Sequence, residues 1–371
     1  MKVVFVTSFF YPIKGGVETQ IYELSKELIK KGYEVEVFTS DLLRHGKIKK
    51  YHENIDGIKI KRFKTWFRIG DFGSFFPGVF KAVKNSDADM IHVHSYRHPH
   101  NFSVLFTKKP SLLTLHWPNY PKGLRKWYLD ILIKIFDKVF GHYLLNKYDK
   151  LLAVNKLEIP WIQNFNIKKN KIELLPNGIN KEYLKKYNGD NFRKKYKIKS
   201  NELVVLCFGR IHKSKGFDQV IKIAKYFPKV KFFIIGKDDG YGKELRKLVD
   251  SDNVTLVFKE ISEKEKLEIY NAADILIMPS YYEAFGIVAL EAMTQKTAVI
   301  ASNRGGLPWV VEDVGLTYKF NDLNDLRKKL ELLIKNKKLR LNLSEKAYEK
   351  SKNFTWDKIT SKLDKIYKNL D

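Results

Sequence analysis

Cysteine is almost missing from the 371 residues: the one example, Cys207, lies inside the apolar run 203–208. A single cysteine excludes an internal disulfide, and its apolar setting suits a buried, inert thiol. Long hydrophobic runs are absent too. No window approaches the ~18 continuous apolar residues that span a bilayer, and even 127–140 is interrupted by Asp130, Lys134, Asp137 and Lys138. The apolar start, 1–10, lacks a small-residue cleavage site and runs straight into Tyr11, Pro12, Gly15 and Gly16, so it reads as a first buried strand rather than a secretory signal. These absences set the expected location in the cytoplasm.

Acidic residues are scarce beside basic ones, 42 Asp and Glu against 69 Lys and Arg, for a net charge of +27. Such a field attracts polyanions. The excess is nevertheless even along the chain, with 30 basic against 16 acidic residues in 1–180 and 39 against 26 in 181–371. An even spread argues against a dedicated nucleic-acid groove and favours lysine-rich solvated helix faces. Attraction to an anionic membrane surface stays open.

What is present is core material. Apolar residues make up 44% of a chain long enough for two α/β domains. Apolar runs that read as buried parallel strands recur at 3–7, 35–39, 90–93, 111–115 and 151–154, with helical patterns between several of them. A second series follows at 203–208, 231–235, 254–258, 275–278 and 298–301. The turn Pro176, Asn177, Gly178 and the mostly polar stretch 180–201 separate the two series and read as the linker. The expected organisation is therefore a Rossmann-like domain over 1–180, a second over 181–352, and a C-terminal helix within 353–371. That helix, with Ile359, Leu363 and Ile366 on one face, needs a partner surface and is expected to pack back toward the N-terminal domain. In doubly wound sheets ligands bind beyond the carboxyl ends of the strands, so the loops there carry the chemistry.

Three loops stand out. The first strand leads into Pro12, Gly15, Gly16 and Glu18, glycines that would bring backbone N–H groups to an anion at a helix N-terminus. The first strand of the second series ends in Gly209, Arg210, Lys215 and Gly216, two cations of the kind that a departing diphosphate requires. The segment 279–292 carries Glu283 and Glu291 eight residues apart with Gly286 between them. A helix starting near Gly286 would turn its free N–H groups toward a ligand, and eight residues at helical rise cover roughly 12 Å, the reach from a sugar to the ribose of a nucleotide diphosphate. Glu291 then suits the two ribose hydroxyls and Glu283 the transferred sugar.

Glu283 to Glu291 resembles the E-x7-E signature of glycosyltransferase family 4, the group 1 glycosyltransferases. Pro12, Gly15, Gly16 and Glu18 are similar to that family's P-x-x-G-G-x-E. Gly209, Arg210, Lys215 and Gly216 are similar to G-R-x-x-x-x-K-G. Gly305, Gly306, Leu307 and Pro308 followed by Val311 resemble its late glycine-rich turn, and Phe354, Thr355 and Trp356 its closing F-[ST]-W. The resemblance covers almost the whole chain in order. It implies a GT-B fold, α/β with two Rossmann-like doubly wound parallel-sheet domains facing a central cleft. It also implies metal-independent transfer, with retention, of a sugar from a UDP- or GDP-linked donor to a hydroxyl of a glycan or lipid-linked acceptor, as in cell-surface polysaccharide or glycolipid synthesis.

By position, the resemblance assigns Arg210 and Lys215 to the donor phosphates, Gly15 and Gly16 to the phosphate side and Glu291 to the ribose. Glu283 and the backbone of Ala284, Phe285, Gly286 and Ile287 fall to the sugar, and Ile261 lies near the base. His116 matches a histidine beside the transferred sugar, and Glu283, Arg210, Lys215 and His116 form the implied catalytic set. No cofactor or metal is implied. His92, His94, His98 and His100 invite a zinc reading, which the lack of a nearby cysteine or carboxylate set disfavours. The chain departs from the family pattern in two places: Lys259 stands for a usual glycine, and Lys296 with Ala298 for a usual glycine and proline. The segment 122–150 mixes Trp127, Tyr128, Ile131, Ile135 and Phe136 with basic residues, and two readings stand: a helix on a membrane surface, or an amphipathic helix covering the first sheet. Rival functions are an epimerase or phosphorylase on the same architecture and a non-catalytic nucleotide-sugar-binding protein.

Overall fold

The structure, a computed structural model, describes residues 1–13, 15–43, 46–68, 73–116, 118–119, 121 and 126–370. Lys14 of the first glycine loop and 122–125 of the aromatic segment lie outside the described residues. The chain forms two compact units, Met1–Gly178 with Trp356–Asp371, and Ile179–Thr355.

The first unit contains β1 (Lys2–Val6), β2 (Glu34–Ser40), β3 (His52–Ile55), β4 (Ile58–Phe63), β5 (Phe67–Arg68), β6 (Ser74–Phe75), β7 (Met90–His94), β8 (Ser111–Thr114), β9 (Lys150–Ala153) and β10 (Ile172–Leu174). Eight of these form one sheet in the order β10-β9-β8-β7-β1-β2-β4-β3, parallel except for β3 against β4. The apolar run at the chain's start is the central strand β1, buried along Val3–Val6 because helices cover both faces of a parallel sheet. Pairs β5–β6 form a separate two-stranded ribbon.

The second unit contains β11 (Leu203–Phe208), β12 (Val230–Ile235), β13 (Val254–Val257), β14 (Ile275–Met278), β15 (Ala298–Ser302) and β16 (Leu316–Tyr318). They form an all-parallel sheet in the order β13-β12-β11-β14-β15-β16. Strand order reverses between β11 and β14, which leaves the crevice beyond their carboxyl ends uncovered by a crossover. In the first unit the same reversal falls between β1 and β7.

Two local expectations change. The polar stretch 180–201 does not run as a free linker. It holds a 3-10 turn, Lys181–Leu184, and a helix, Asp190–Lys195. Both are tied into the second unit: Gln295 Nε2 donates to the Tyr183 carbonyl at 2.6 Å, and the Gly189 N–H donates to Asn271 Oδ1 at 3.0 Å. Its polar side chains thus satisfy a fold rather than solvent. The strands β3, β4, β10 and β16, at or next to the sheet edges, have no counterpart in the sequence reading, being short or alternating rather than continuously apolar.

The C-terminal helix Trp356–Lys368 buries Trp356, Ile359, Leu363, Ile366 and Tyr367 in the core shared with helix Gly16–Lys30 and strands β1 and β2. Tyr33 donates to Asp364 Oδ1 at 2.5 Å, and the Tyr367 hydroxyl lies 2.6 Å from His92 Nδ1. Leu363 is fully buried, so Leu363→Ala should cost about 2–5 kcal/mol. Calorimetry should show the melting temperature of this unit lowered by roughly 5–15 °C; an unchanged transition would mean that the helix is not part of the core.

Candidate functional site

The loops that flank the strand reversal in the second unit are stitched to each other. After β11 the chain passes through Gly209 and Arg210 into a 3-10 turn, Lys213–Lys215, which His212 caps. After β14 it passes through Pro279 and Glu283 to Gly286, which precedes helix Ile287–Thr294. The Tyr281 N–H donates to the Ser214 carbonyl at 2.8 Å, and Gln219 Nε2 donates to the Pro279 carbonyl at 3.0 Å. Gly216 sits between them with φ +65°, and a Cβ there would collide with the Pro279 carbonyl oxygen and Gln219 Nε2. Only glycine allows this closeness.

Across that junction the Lys215 ammonium donates to Glu283 Oε1. Ser280 Oγ donates to the same oxygen at 3.2 Å. Both side chains of the ion pair keep partial access to solvent, so the cation stays within reach of an incoming anion. The Glu283 backbone is fixed from its other side by the late glycine turn. The Gly306 N–H donates to the Glu283 carbonyl at 2.9 Å, and a Cβ on Gly305, at φ +58°, would strike that carbonyl. The turn around Gly305 is therefore what places Glu283.

Arg210 is half-exposed and pairs with Asp239 at 2.5 Å. Phe285 is buried, its ring within 6.1 Å of Phe354 and 5.9 Å of Trp309, which leaves only its backbone to a ligand. Phe354 thus serves this packing. Helix Ile287–Thr294 begins after Glu283 rather than at it, so the 12 Å estimate for the Glu283 to Glu291 interval, which assumed helix throughout, does not apply. Ile261 lies just before helix Glu263–Ala272, whose N-terminus Ser262 caps, and is partly buried. Lys259, in the loop after β13, is paired with Glu265 at 2.6 Å.

Glu291 is held on both oxygens. Lys266 Nζ donates to Oε1 at 2.7 Å and the Tyr270 hydroxyl to Oε2 at 2.9 Å. Lys266 also meets Glu263 at 2.8 Å and lies 3.4 Å from the Tyr183 hydroxyl. Burial works against its charge, but Glu291, Tyr183 and Glu263 outweigh it and hold the ammonium above its ordinary pKa. Each carboxylate oxygen keeps a second lone pair, so the orientation of Glu291 is set without exhausting its capacity to accept. No motif points to Lys266, Tyr270 or Tyr183. The one signal is a lysine four residues before a tyrosine on an otherwise core-facing helix, with Tyr183 inside the stretch read as linker.

In the first unit, Gly15 precedes helix Gly16–Lys30 in extended backbone, and the Thr19 N–H closes its first turn on the Gly15 carbonyl at 2.9 Å. At the strand reversal an imidazole network gathers. Ser8 Oγ lies 3.0 Å from His98 Nδ1 and 3.2 Å from His100 Nδ1, His100 Nε2 lies 2.8 Å from the His94 carbonyl, and His94 Nδ1 lies 3.0 Å from His116 Nε2. His92 is spent on Tyr367 and Thr114, the latter at 2.7 Å. His116 follows β8 with φ +61° and keeps some exposure.

Burial pushes these rings far below the ordinary 6.5: His92 to about 3, with His116 adding to the effect, His100 to about 4 despite its bond to the His94 carbonyl, and His116 to about 3. His94 is lowered as well, by burial and then by His92, His116 and His100. All four are neutral near pH 7. The unfolded chain takes up protons near 6.5 whereas the folded unit does not, so stability is lost as pH falls from about 6.5 toward 4, by up to about 1.4 kcal/mol per pH unit for each fully buried histidine. Melting followed by circular dichroism should show the first unit's transition falling steadily below about pH 6; a flat profile down to about pH 4.5 would contradict the neutral, buried assignment.

Residues 188–350 match the family "Glycosyl transferases group 1", and residues 14–183 match "Glycosyltransferase Family 4". A glycosyltransferase of Methanocaldococcus jannaschii is 30% identical over 385 aligned positions, covering 100% of this chain and 99% of the relative. The alpha-galactosylglucosyldiacylglycerol synthase of Streptococcus pneumoniae is 27% identical over 58% of this chain and 60% of its own length. Among solved structures, Anabaena HepE in complex with UDP and glucose superimposes with a TM-score of 0.75 at 17% identity, covering 100% of both chains. The fold is thus GT-B, α/β with two Rossmann-like parallel-sheet units. With its glycine loops, E-x7-E segment and full-length relative in agreement, the chain belongs to the group 1 glycosyltransferases, family 4.

Proposed function

We propose that the protein is a retaining, metal-independent hexosyltransferase that moves a sugar from a UDP- or GDP-linked donor to a hydroxyl of a glycan or lipid-linked acceptor, in cell-surface polysaccharide or glycolipid synthesis. The observation that carries this reading is the Lys215–Glu283 pair at the strand reversal of the second unit, with Arg210 on the same loop. A diphosphate entering there meets two cations, and a carboxylate stands where the sugar follows. The UDP and glucose held by HepE and the diacylglycerol-linked product in the name of the pneumococcal relative support a nucleotide-sugar donor and a lipid-linked acceptor.

In the proposed reaction the bond between the anomeric carbon and the β-phosphate oxygen breaks, while the acceptor oxygen bonds to that carbon from the same face. The acceptor proton passes to the departing phosphate. Arg210 and Lys215 offset the charge that develops on the diphosphate, which supplies most of the rate. Lys215 exchanges part of its bond to Glu283 for a phosphate oxygen, and Arg210 part of its bond to Asp239. Glu283 positions the sugar and forms no covalent intermediate, unlike the nucleophilic carboxylate of retaining glycosidases. Glu291, aimed by Lys266 and Tyr270, accepts the ribose hydroxyls. The imidazole of His116, neutral at pH 7, is the group that the family resemblance assigns to the transferred sugar, where it would exchange a hydrogen bond without adding charge.

Titration calorimetry across UDP- and GDP-sugars should find one donor that binds, with Arg210→Ala and Glu291→Gln each weakening it roughly ten- to hundredfold, as the loss of a charge-assisted hydrogen bond does. Proton NMR of the product should show the donor's anomeric configuration preserved. An inverted product would overturn retention, and donor binding without transfer to any acceptor would leave a non-catalytic nucleotide-sugar-binding protein.

A further inference from the structure

The helical segment of the first unit that runs through Trp127–Phe136, Asp137–Gly141 and His142–Lys147 turns large apolar side chains away from the protein. Trp127 is 75% exposed, Val139 59% and Leu132 58%, and Ile131 and Ile135 are exposed beside them. Their spacing of three and four residues puts them on one side of the helix. The opposite side does the packing: Ile133, Leu144 and Leu145 are buried, and Phe136 meets Phe102 at 6.1 Å. The segment is also held firmly. Arg97 Nε donates to Asp137 Oδ1 at 2.9 Å, and its Nη2 donates to Oδ2 at 2.5 Å. The expectation of a helix that merely covers the sheet therefore accounts for one face only. A soluble surface rarely leaves so long an apolar stripe bare unless something covers it.

The charges indicate what does. Lys134 and Lys138 stand one turn apart beside the stripe, and Lys126 and Lys147 mark its ends. None of the four has a carboxylate partner among the described residues. Asp137, which would offset them, is turned inward to Arg97. A second copy meeting this face in an isologous dimer would set lysine against lysine. An anionic bilayer meets all of these features at once: acyl chains for the aliphatic residues, the interfacial zone for Trp127 and Tyr128, and lipid phosphates for the ammonium groups.

We propose that this face is a membrane-docking surface, the segment 127–147 lying in the plane of an anionic bilayer with its apolar stripe below the headgroups. The surface is distinct from the donor site, and it holds whether or not the donor assignment does. It gives the enzyme a route to acceptors that never leave the lipid.

The test is co-sedimentation of the purified full chain with phosphatidylcholine vesicles, with and without phosphatidylglycerol. Wild type should bind the anionic vesicles at least tenfold better than the neutral ones, with affinity falling as salt rises. Combined Trp127→Ser, Leu132→Ser and Val139→Ser should lower binding at least tenfold at unchanged melting temperature, because these side chains carry little of the core; Trp127→Ser alone serves if the triple variant does not fold. Lys134→Gln with Lys138→Gln should remove much of the salt-sensitive part. Wild type staying in the supernatant, or the serine variant binding as wild type does, would overturn the proposal. So would equal binding to neutral vesicles. A dimer in sedimentation equilibrium that the serine variant dissolves, without vesicle binding, would assign the face to a second copy.

Discussion

The ion pair between Lys215 and Glu283 joins the two loops on either side of the strand reversal in the second unit, and the surrounding arrangement follows from the need to bring them that close. Gly216 must lie against the Pro279 carbonyl, Gln219 must bridge the same carbonyl, and the turn at Gly305 and Gly306 must grip the Glu283 backbone from behind. None of these contacts is itself chemical. Each removes a degree of freedom from the Lys215–Glu283 pair, and under the proposed function that matters because rigid, pre-oriented charge is what makes electrostatic catalysis effective. The buried trio of Lys266, Glu291 and Tyr270 follows the same logic. A carboxylate aimed in advance spends less ordering on its ligand.

The first unit is organised around neutral polar groups instead. Its strand reversal gathers Ser8, His94, His98, His100 and His116 into one hydrogen-bonded network, and burial keeps the deepest rings uncharged. Neutral imidazoles both donate and accept, and in the proposed function that suits them to sugar hydroxyls. The terminal helix closes this unit through Leu363 in the core and Tyr367 on His92.

Much of this was legible in the sequence, for identifiable reasons. The central strands of both sheets show as continuous apolar runs because parallel strands are buried on both faces, and their expected limits fall within a residue of the observed ones. Several outlying strands are lost because Ile58–Phe63, next to the edge strand β3, alternates Ile with Lys and Arg, and because Ile172–Leu174 and Leu316–Tyr318 are three residues long. Motif spacing identified Lys215, Glu283 and Gly305, but not that the glycine turn holds the Glu283 backbone, a contact made across about twenty residues of chain. Lys266 stayed hidden because a lysine among 69 basic residues carries no signal until its burial beside Glu291 is seen. For 127–147 the pattern revealed an amphipathic helix, yet only the packing shows that its apolar residues exceed what the core can cover.

The central claim is that Lys215 is a phosphate cation kept in reserve by Glu283. Titration calorimetry of UDP and GDP, and of the corresponding nucleosides, against wild type, Lys215→Ala and Glu283→Gln tests it most directly. The account predicts that Lys215→Ala weakens the diphosphate roughly tenfold or more while leaving the nucleoside unchanged, because one charge-assisted hydrogen bond is lost. It predicts that Glu283→Gln, which releases the lysine, binds the diphosphate at least as tightly as wild type. Undiminished diphosphate binding by Lys215→Ala, or an equal loss for diphosphate and nucleoside, would contradict it.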